Sequence, residues 1–242
     1  MTTQKIALVT GANKGLGLEI ARQLGKQGYV VVVGARDEKA GKTAVEALTK
    51  DGVKEAHAVK LEVTNPDHIA SVVKFIGDKF GKLDVLVNNA GISLDWDGKP
   101  MTADKMRKTY DVNVVGQWQV TDALVPLLAK SDDARVINHS SILGSMGSVQ
   151  AMWDQMGAMC GEAYSTSKAA LNMLTVLQSN KLKAQKISVT AAHPGWVKTD
   201  LGSDAAPMEV PDGAKTVVGL VTMPLDKFPH ASLNHMGDKL SW

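Results

Sequence analysis

The chain has 242 residues, 44% of them hydrophobic and 21% charged, with 22 Gly and 8 Pro. That is enough to bury a core without a covalent or metal staple, and the lone Cys160 excludes an intramolecular disulfide and a cysteine-rich zinc site. The 27 basic and 25 acidic residues give a formal charge of +2, too balanced for an obligate nucleic-acid or membrane-surface binder. The start, Met1–Thr10, lacks a basic segment followed by a long apolar run, so no signal peptide is expected. No apolar run approaches about 18 residues, so no membrane partner is expected either. The expectation is a cytoplasmic protein with no nucleic-acid partner.

Lys5–Thr10 is a short apolar run that ends in a glycine-rich turn, Thr10-Gly-Ala-Asn-Lys-Gly-Leu-Gly17. Leu16 to Gly28 then carries Leu16, Ile20, Ala21 and Leu24 at helical spacing. Glycines at 11, 15 and 17 between a strand and a helix let the backbone approach a pyrophosphate, which the free N–H groups of the helix start attract. The plainer reading of such glycines is a turn. Tyr29–Val33 is a β-branched run suited to a strand covered on both faces. Beyond it stands Val33-Gly-Ala-Arg36-Asp37. An acidic residue at this strand end favours NAD, whereas the planar fork of Arg36 suits a phosphate. With Lys14 as a second cation, the expected cofactor is NADPH/NADP+. Asp37 turned inward would instead prefer NADH, and either cation could be only a solvated surface charge.

A helix is predicted over 38–50, a strand over Ala56–Val63, a helix from Pro66 to Phe80 with Asn65 as its cap, and a strand over Leu83–Val87. Asp95-Trp-Asp-Gly98 lacks the ligands of a calcium loop and reads as a turn. Thr102 to Lys130 reads as two helical stretches, broken or bent near Asp111–Asn113, Arg135–Asn138 as a strand, Glu162–Ala184 as a long helix and Ile187–Ala192 as a strand. A seventh strand is expected near the C-terminus. Such alternation means βαβ units: an α/β fold, a doubly wound (Rossmann) parallel sheet of about seven strands in a three-layer sandwich, forming a single domain over 1–242. The Met-rich stretch 145–161 breaks the rhythm. It is either a hydrophobic segment packed on the body or an adaptable wall for an apolar ligand.

Tyr164-Ser-Thr-Ser-Lys168 places a phenol and an ammonium one helical turn apart. A nearby ammonium lowers a phenol's pKa and would make it a proton donor and acceptor usable near neutral pH. Alone, such a pair is more often a surface contact. Asn138-His-Ser-Ser141 follows a strand at the edge where open α/β sheets place ligands. A serine there can donate to a substrate oxygen or merely close a turn, and His139 beside it is expected to pack behind the site. Asn113 either holds a water that relays protons to Lys168 or is a satisfied core residue. The six histidines show no paired-ligand spacing, so no metal is expected. Gly144–Ser148 is not a nucleophile elbow.

Taken together, Thr10–Gly17, Ala35-Arg-Asp37, Asn88-Asn-Ala-Gly91, Asp111–Val114, Val136–Ser141, Tyr164–Lys168 and Pro194-Gly-Trp-Val-Lys-Thr-Asp200 resemble the short-chain dehydrogenase/reductase family, with most similarity to its NADPH-dependent carbonyl reductases. The resemblance implies seven parallel strands and reversible reduction of a ketone or aldehyde, the small-molecule partner. It implies that Tyr164 is the general acid, Lys168 binds the nicotinamide ribose and lowers the tyrosine's pKa, Ser141 steadies the carbonyl oxygen and Asn113 completes a proton relay. It also implies a cofactor site formed by Gly11, Asn13, Lys14, Gly15, Leu16, Gly17, Arg36, Glu62, Val63, Asn89, Ala90, Gly91, Tyr164, Lys168, Pro194, Gly195, Val197 and Thr199. Glu62 stands where the family usually has Asp beside the adenine. Ser141 and Tyr164 are 23 positions apart, about ten more than is usual, and loops of this kind vary independently of the scaffold. Residues 200–211, with Gly202, Pro207 and Pro211, are expected to form a flexible flap. Assembly is open between a monomer and a homo-oligomer. The competing functions are an NADPH-dependent imine, enoyl or sugar-carbonyl reductase and a non-catalytic NADPH sensor. The intact Ser141, Tyr164 and Lys168 set argues against the sensor.

Overall fold

A computed structural model describes residues 4–242. Met1–Thr3, part of the segment read above for an export signal, lie outside the described residues. Strands β1 (Ile6–Thr10), β2 (Val30–Ala35), β3 (Ala56–Lys60), β4 (Val85–Asn88), β5 (Ala134–His139), β6 (Ile187–Ala192), β7 (Leu233–His235) and β8 (Asp238–Leu240) form one sheet. Its order is β3-β2-β1-β4-β5-β6-β7-β8. Every neighbouring pair is parallel except β7 with β8.

The eighth, antiparallel strand was not expected. It follows a two-residue turn, Met236-Gly237, with both residues at positive φ. That geometry matches the right-handed twist of the flanking strands. Methionine is an unusual residue for such a turn, so the sequence carries little sign of the hairpin.

Side-chain alternation explains the two cores. Ala7, Val9, Val31, Val33, Val85 and Val87 point to one face, under helices α1 (Gly15–Lys26), α2 (Glu38–Lys50) and α9 (Val210–Thr222). Ile6, Leu8, Val30, Val32, Leu86 and Val136 point to the other, under α3 (Pro66–Phe80), α5 (Gln117–Leu128) and α8 (Glu162–Leu182). Each fully buried aliphatic side chain contributes about 1.5–3 kcal/mol. With helices on both faces, the central strands have no polar face, hence their continuous β-branched runs. Among the described residues no helix is long and apolar enough to cross a membrane.

Most predicted boundaries stand within two residues. Pro66–Phe80 begins with Pro66 in its first turn, and the Asn65 side chain accepts from Asp67 N and His68 N. The strand expected to run to Val63 ends at Lys60. The interruption expected in 102–130 is not a break. Helix α4 (Ala103–Tyr110) passes through a wide π-turn, Asp111–Gly116, directly into α5.

The Met-rich stretch folds as two short helices, α6 (Met146–Ala151) and α7 (Trp153–Met156), followed by a single tight turn. Met156 and Met159 line a cavity, as expected of a wall, whereas Met146 and Trp153 are exposed and neither short helix has a buried residue, so the stretch is not a segment packed on the body. The expected flap is shorter than 200–211, because Pro211 lies in the first turn of α9. Its base is fastened where Lys198 N donates to Met208 O and Met208 N to Trp196 O.

Candidate active site

Between β1 and β4 the strand order reverses direction. Helices leave to opposite faces there and a crevice opens at the carboxyl ends of the strands. The glycine-rich loop lies at this point. Gly11 and Gly15 take positive φ, which glycine adopts without strain. A Cβ on Gly17 would stand 2.5 Å from both Gly11 O and Asn89 Nδ2, so the turn requires hydrogen there. Helix α1 starts without a side-chain cap and without an acidic residue in its first turn, leaving its N–H groups available to an anion. Across the crevice, Thr199 approaches Gly15, with its methyl 3.7 Å from where a Cβ would be. The residues present fit a dinucleotide pyrophosphate.

Arg36 lies at the end of β2 with an exposed side chain, its Nε 4.0 Å from a carboxylate oxygen of Glu62. Glu62, expected beside the adenine, thus also leans on the arginine. The Asp37 carboxylate caps α2, its Oδ1 accepting from Ala40 N at 2.6 Å. Lys14 is paired with Asp200 across the mouth. Asn13 is half-buried in the turn. Val63 is buried in the core under Gly116, so only its backbone can face a ligand.

Asn89 is spent as a strut. Its amide donates to Thr10 O and Gly11 O, and its Oδ1 meets His139 Nδ1 at 2.9 Å. Ala90 accepts from Gln117 Nε2 through its carbonyl, and its N–H donates to Thr10 Oγ1. Behind them Asn88 bonds Thr121 and Asn138, and Asn138 bonds Thr175 and Gln178. This buried chain ties β4 and β5 to α5 and α8.

The fold brings Ser141, Tyr164 and Lys168 together. Gly144 makes the approach possible, since a Cβ on it would lie 2.5 Å from the Lys168 backbone. Ser140 turns inward and donates to Asn172 Oδ1 at 2.6 Å. The Ser141 hydroxyl, which accepts from Leu143 N at 3.2 Å, lies near enough to the Tyr164 phenol to favour its charged form. Lys168 Nζ donates to His139 O at 2.7 Å and sits 5.5 Å from the centre of the Tyr164 ring.

The expected electrostatics are reversed. Burial pushes the Tyr164 phenol up to about 12, opposed by the Ser141 hydroxyl. Burial also lowers Lys168 to about 8. Desolvation disfavours both charged forms, and the ammonium points at the His139 carbonyl instead of the phenol oxygen. At neutral pH the phenol therefore keeps its proton. Asn113 lies within the π-turn. Its Oδ1 accepts from Ile92 N, and its Nδ2 donates to Ile92 O and Ser167 Oγ. Gly91 separates it from Lys168, because a Cβ there would lie 3.4 Å from Asn113 Oδ1 and 3.7 Å from Lys168 Nζ.

Two neighbours of Tyr164 escaped the sequence reading. Asp95, placed above in a plain turn, accepts from Ala163 N at 2.8 Å and Tyr164 N at 2.9 Å. It caps α8 from outside, because the cap position, Gly161, has no side chain to do so. Trp96 packs on the phenol ring, with centroids 5.5 Å apart. The only hint in the sequence was a carboxylate and an indole in the loop after Asn88–Gly91. Beyond Ser141 and Tyr164 lies a cavity of about 390 Å³. Leu16, Pro194, Gly195, Val197 and Thr199 also line it. Gly195 has φ +91 and closely approaches Met208.

Residues 5–210 match the model of the short chain dehydrogenase family. Short-chain dehydrogenase/reductase 1 of Saponaria officinalis is 34% identical over 93% of this chain and 92% of its own. An NADPH-bound carbonyl reductase from chicken fatty liver has a similar structure, with TM-score 0.85 at 28% identity over 99% of each chain. The carbonyl reductase Sniffer of D. melanogaster gives 0.84 at 30% identity, over 99% of this chain and all of that one.

Proposed function

The chain belongs to the short-chain dehydrogenase family, whose members carry out nicotinamide-dependent oxidoreduction, and from that premise we propose that it reduces a ketone or aldehyde reversibly with NADPH. The observation that carries this reading is the grouping of Tyr164 with Ser141 on the cavity wall and with Lys168 Nζ 5.5 Å from the phenol ring, where burial keeps the phenol protonated. Bound NADPH supplies the hydride. Ser141 donates to the carbonyl oxygen and orients it. Tyr164 gives that oxygen its proton as negative charge develops, in a site where burial strengthens each hydrogen bond. Lys168 holds positive charge beneath the phenol, and with Asn113 beyond Gly91 it leads to the route by which the proton is replaced. Arg36 is the cation for the phosphate that distinguishes NADPH from NADH, and Lys14 joins it on leaving Asp200; both side chains are exposed, so solvent screening reduces what each bond contributes. Similarity to an NADPH-bound carbonyl reductase supports the same choice.

The test is a carbonyl panel followed at the absorbance of the reduced coenzyme, with NADPH and NADH in parallel, on the wild type and Tyr164→Phe. Turnover should require NADPH and a carbonyl compound. The variant should lose turnover while still binding NADPH. Near-normal activity in Tyr164→Phe would refute the mechanism.

A further inference from the structure

Trp96 leaves 47% of its surface exposed, whereas the Tyr164 it packs on is only 8% exposed. The indole therefore stands between bulk water and the phenol. Part of it is wet, and the rest lies on the ring at a centroid distance of 5.5 Å and a tilt of 52°. An indole is large enough to cover a phenol ring, since such side chains bury about 150–250 Å².

A half-exposed indole gains little from burial, so its place over the ring is set by the chain that carries it. Asp95, the preceding residue, accepts from Ala163 N at 2.8 Å and Tyr164 N at 2.9 Å. Ser93 Oγ donates to the same carboxylate at 3.1 Å. Gly161 admits this arrangement, because a Cβ there would collide with Asp95 Cγ. Two consecutive residues of one loop thus hold the backbone of Tyr164 and cover its ring.

The titratable groups around the phenol do not account for its hold on the proton. On the same helix, Lys168 turns its ammonium to His139 O at 2.7 Å. The His139 imidazole, at the end of β5, is held neutral by burial, at about 3. His193, on the cavity wall after β6, is likewise held at about 3. Asp95, after β4, is engaged by the amides of α8. Burial is what raises the phenol, and the Ser141 hydroxyl opposes it. The protonated state therefore depends on what keeps water away.

We propose that Trp96, seated by Asp95, is a positioning residue that shields the Tyr164 phenol from bulk solvent and so keeps it a proton donor. This rests on the reading of Tyr164 as the acid and adds the residue that maintains it as one.

The experiment follows tyrosinate formation by near-ultraviolet absorbance after rapid pH jumps. It uses the full chain without coenzyme, as wild type, Trp96→Ala and Trp96→Phe. Subtracting the Tyr164→Phe counterpart of each removes the signals of Tyr29 and Tyr110, the other tyrosines of the chain. The pH dependence of carbonyl reduction is measured on the same proteins with NADPH. Trp96→Ala should admit water and move the Tyr164 titration from about 12 towards about 10, a rise of at least about tenfold in its ionisation constant. The alkaline loss of kcat should move down with it. Trp96→Phe keeps an apolar ring over the phenol and should restore most of the difference. An unmoved titration in Trp96→Ala, with kcat lowered equally at every pH, would make Trp96 a packing residue and overturn the proposal, leaving the carbonyl chemistry standing. A moved titration in a protein that reduces no carbonyl compound upholds the cover over the phenol and refutes the reaction.

Discussion

Replacing Asp95 by alanine tests whether the loop after β4 sets the position of the tyrosine. The substitution removes the acceptors at 2.8 and 2.9 Å from Ala163 N and Tyr164 N, and Gly161 cannot substitute for them. Losing a helix cap costs about 0.5–2 kcal/mol, and losing a hydrogen bond to a charged group about 1.5–3 kcal/mol. These losses overlap, so roughly 2–4 kcal/mol is expected. In a chain of this length that lowers Tm by about 5–15 °C. One of the freed amides belongs to Tyr164, whose ring also packs on Trp96. A displacement of about 1 Å at a reacting group costs on the order of 100-fold. We expect kcat to fall about tenfold to 100-fold, with NADPH affinity within about twofold of wild type because the glycine loop lies apart. Asp95→Asn keeps one acceptor and should recover part of both losses. Calorimetry, steady-state kinetics and coenzyme titration read the three quantities. Wild-type Tm and kcat in Asp95→Ala would refute the reasoning.

Arg36→Asp should weaken NADPH binding about tenfold or more and shift preference towards NADH, because it places a second carboxylate near Glu62; unchanged preference in coenzyme titrations would make Arg36 a bystander. Gly17→Ala forces a Cβ to 2.5 Å from Gly11 O, so chemical denaturation should show a loss of about 1–3 kcal/mol, with coenzyme binding impaired as well. Buried His139 is held down to about 3 and so stays neutral in the native state where the unfolded chain takes up a proton. Its contribution is complete above about pH 6.5 and is lost as pH falls towards about 3. Between about pH 7 and about pH 4.5 this amounts to roughly 2–3 kcal/mol, so Tm should fall with acid and His139→Gln should flatten that slope.

The fold was legible because its signals are local. Val30–Val33 is apolar without interruption because helices cover both faces of the sheet, and Asn65-Pro66 starts α3 through side chains adjacent in sequence. The π-turn was visible only as an irregularity, because one residue more or less in a turn hardly alters hydrophobic spacing. In the site, Tyr164 and Lys168 share a helix face by spacing alone. Asp95 lies 69 positions from the amide it caps, and Gly144 acts through contact with Lys168. Neither relation leaves a periodic trace. The direction of the Tyr164 pKa was misread for the same reason: spacing brought the ammonium near, but burial and the His139 carbonyl, both set by tertiary structure, outweigh it.

The π-turn at Asp111–Gly116 makes the site vulnerable to a change that leaves the sheet intact. A π-turn accommodates one residue more than a regular helix, so deleting a single position there would let α4 run straight into α5. The helix downstream could keep its register on the sheet while Asn113 swung about 100° around the axis, away from Ile92 and Ser167. Loss of catalysis and preservation of the scaffold would then be separated by one codon, a short evolutionary step from an enzyme to a protein that only binds.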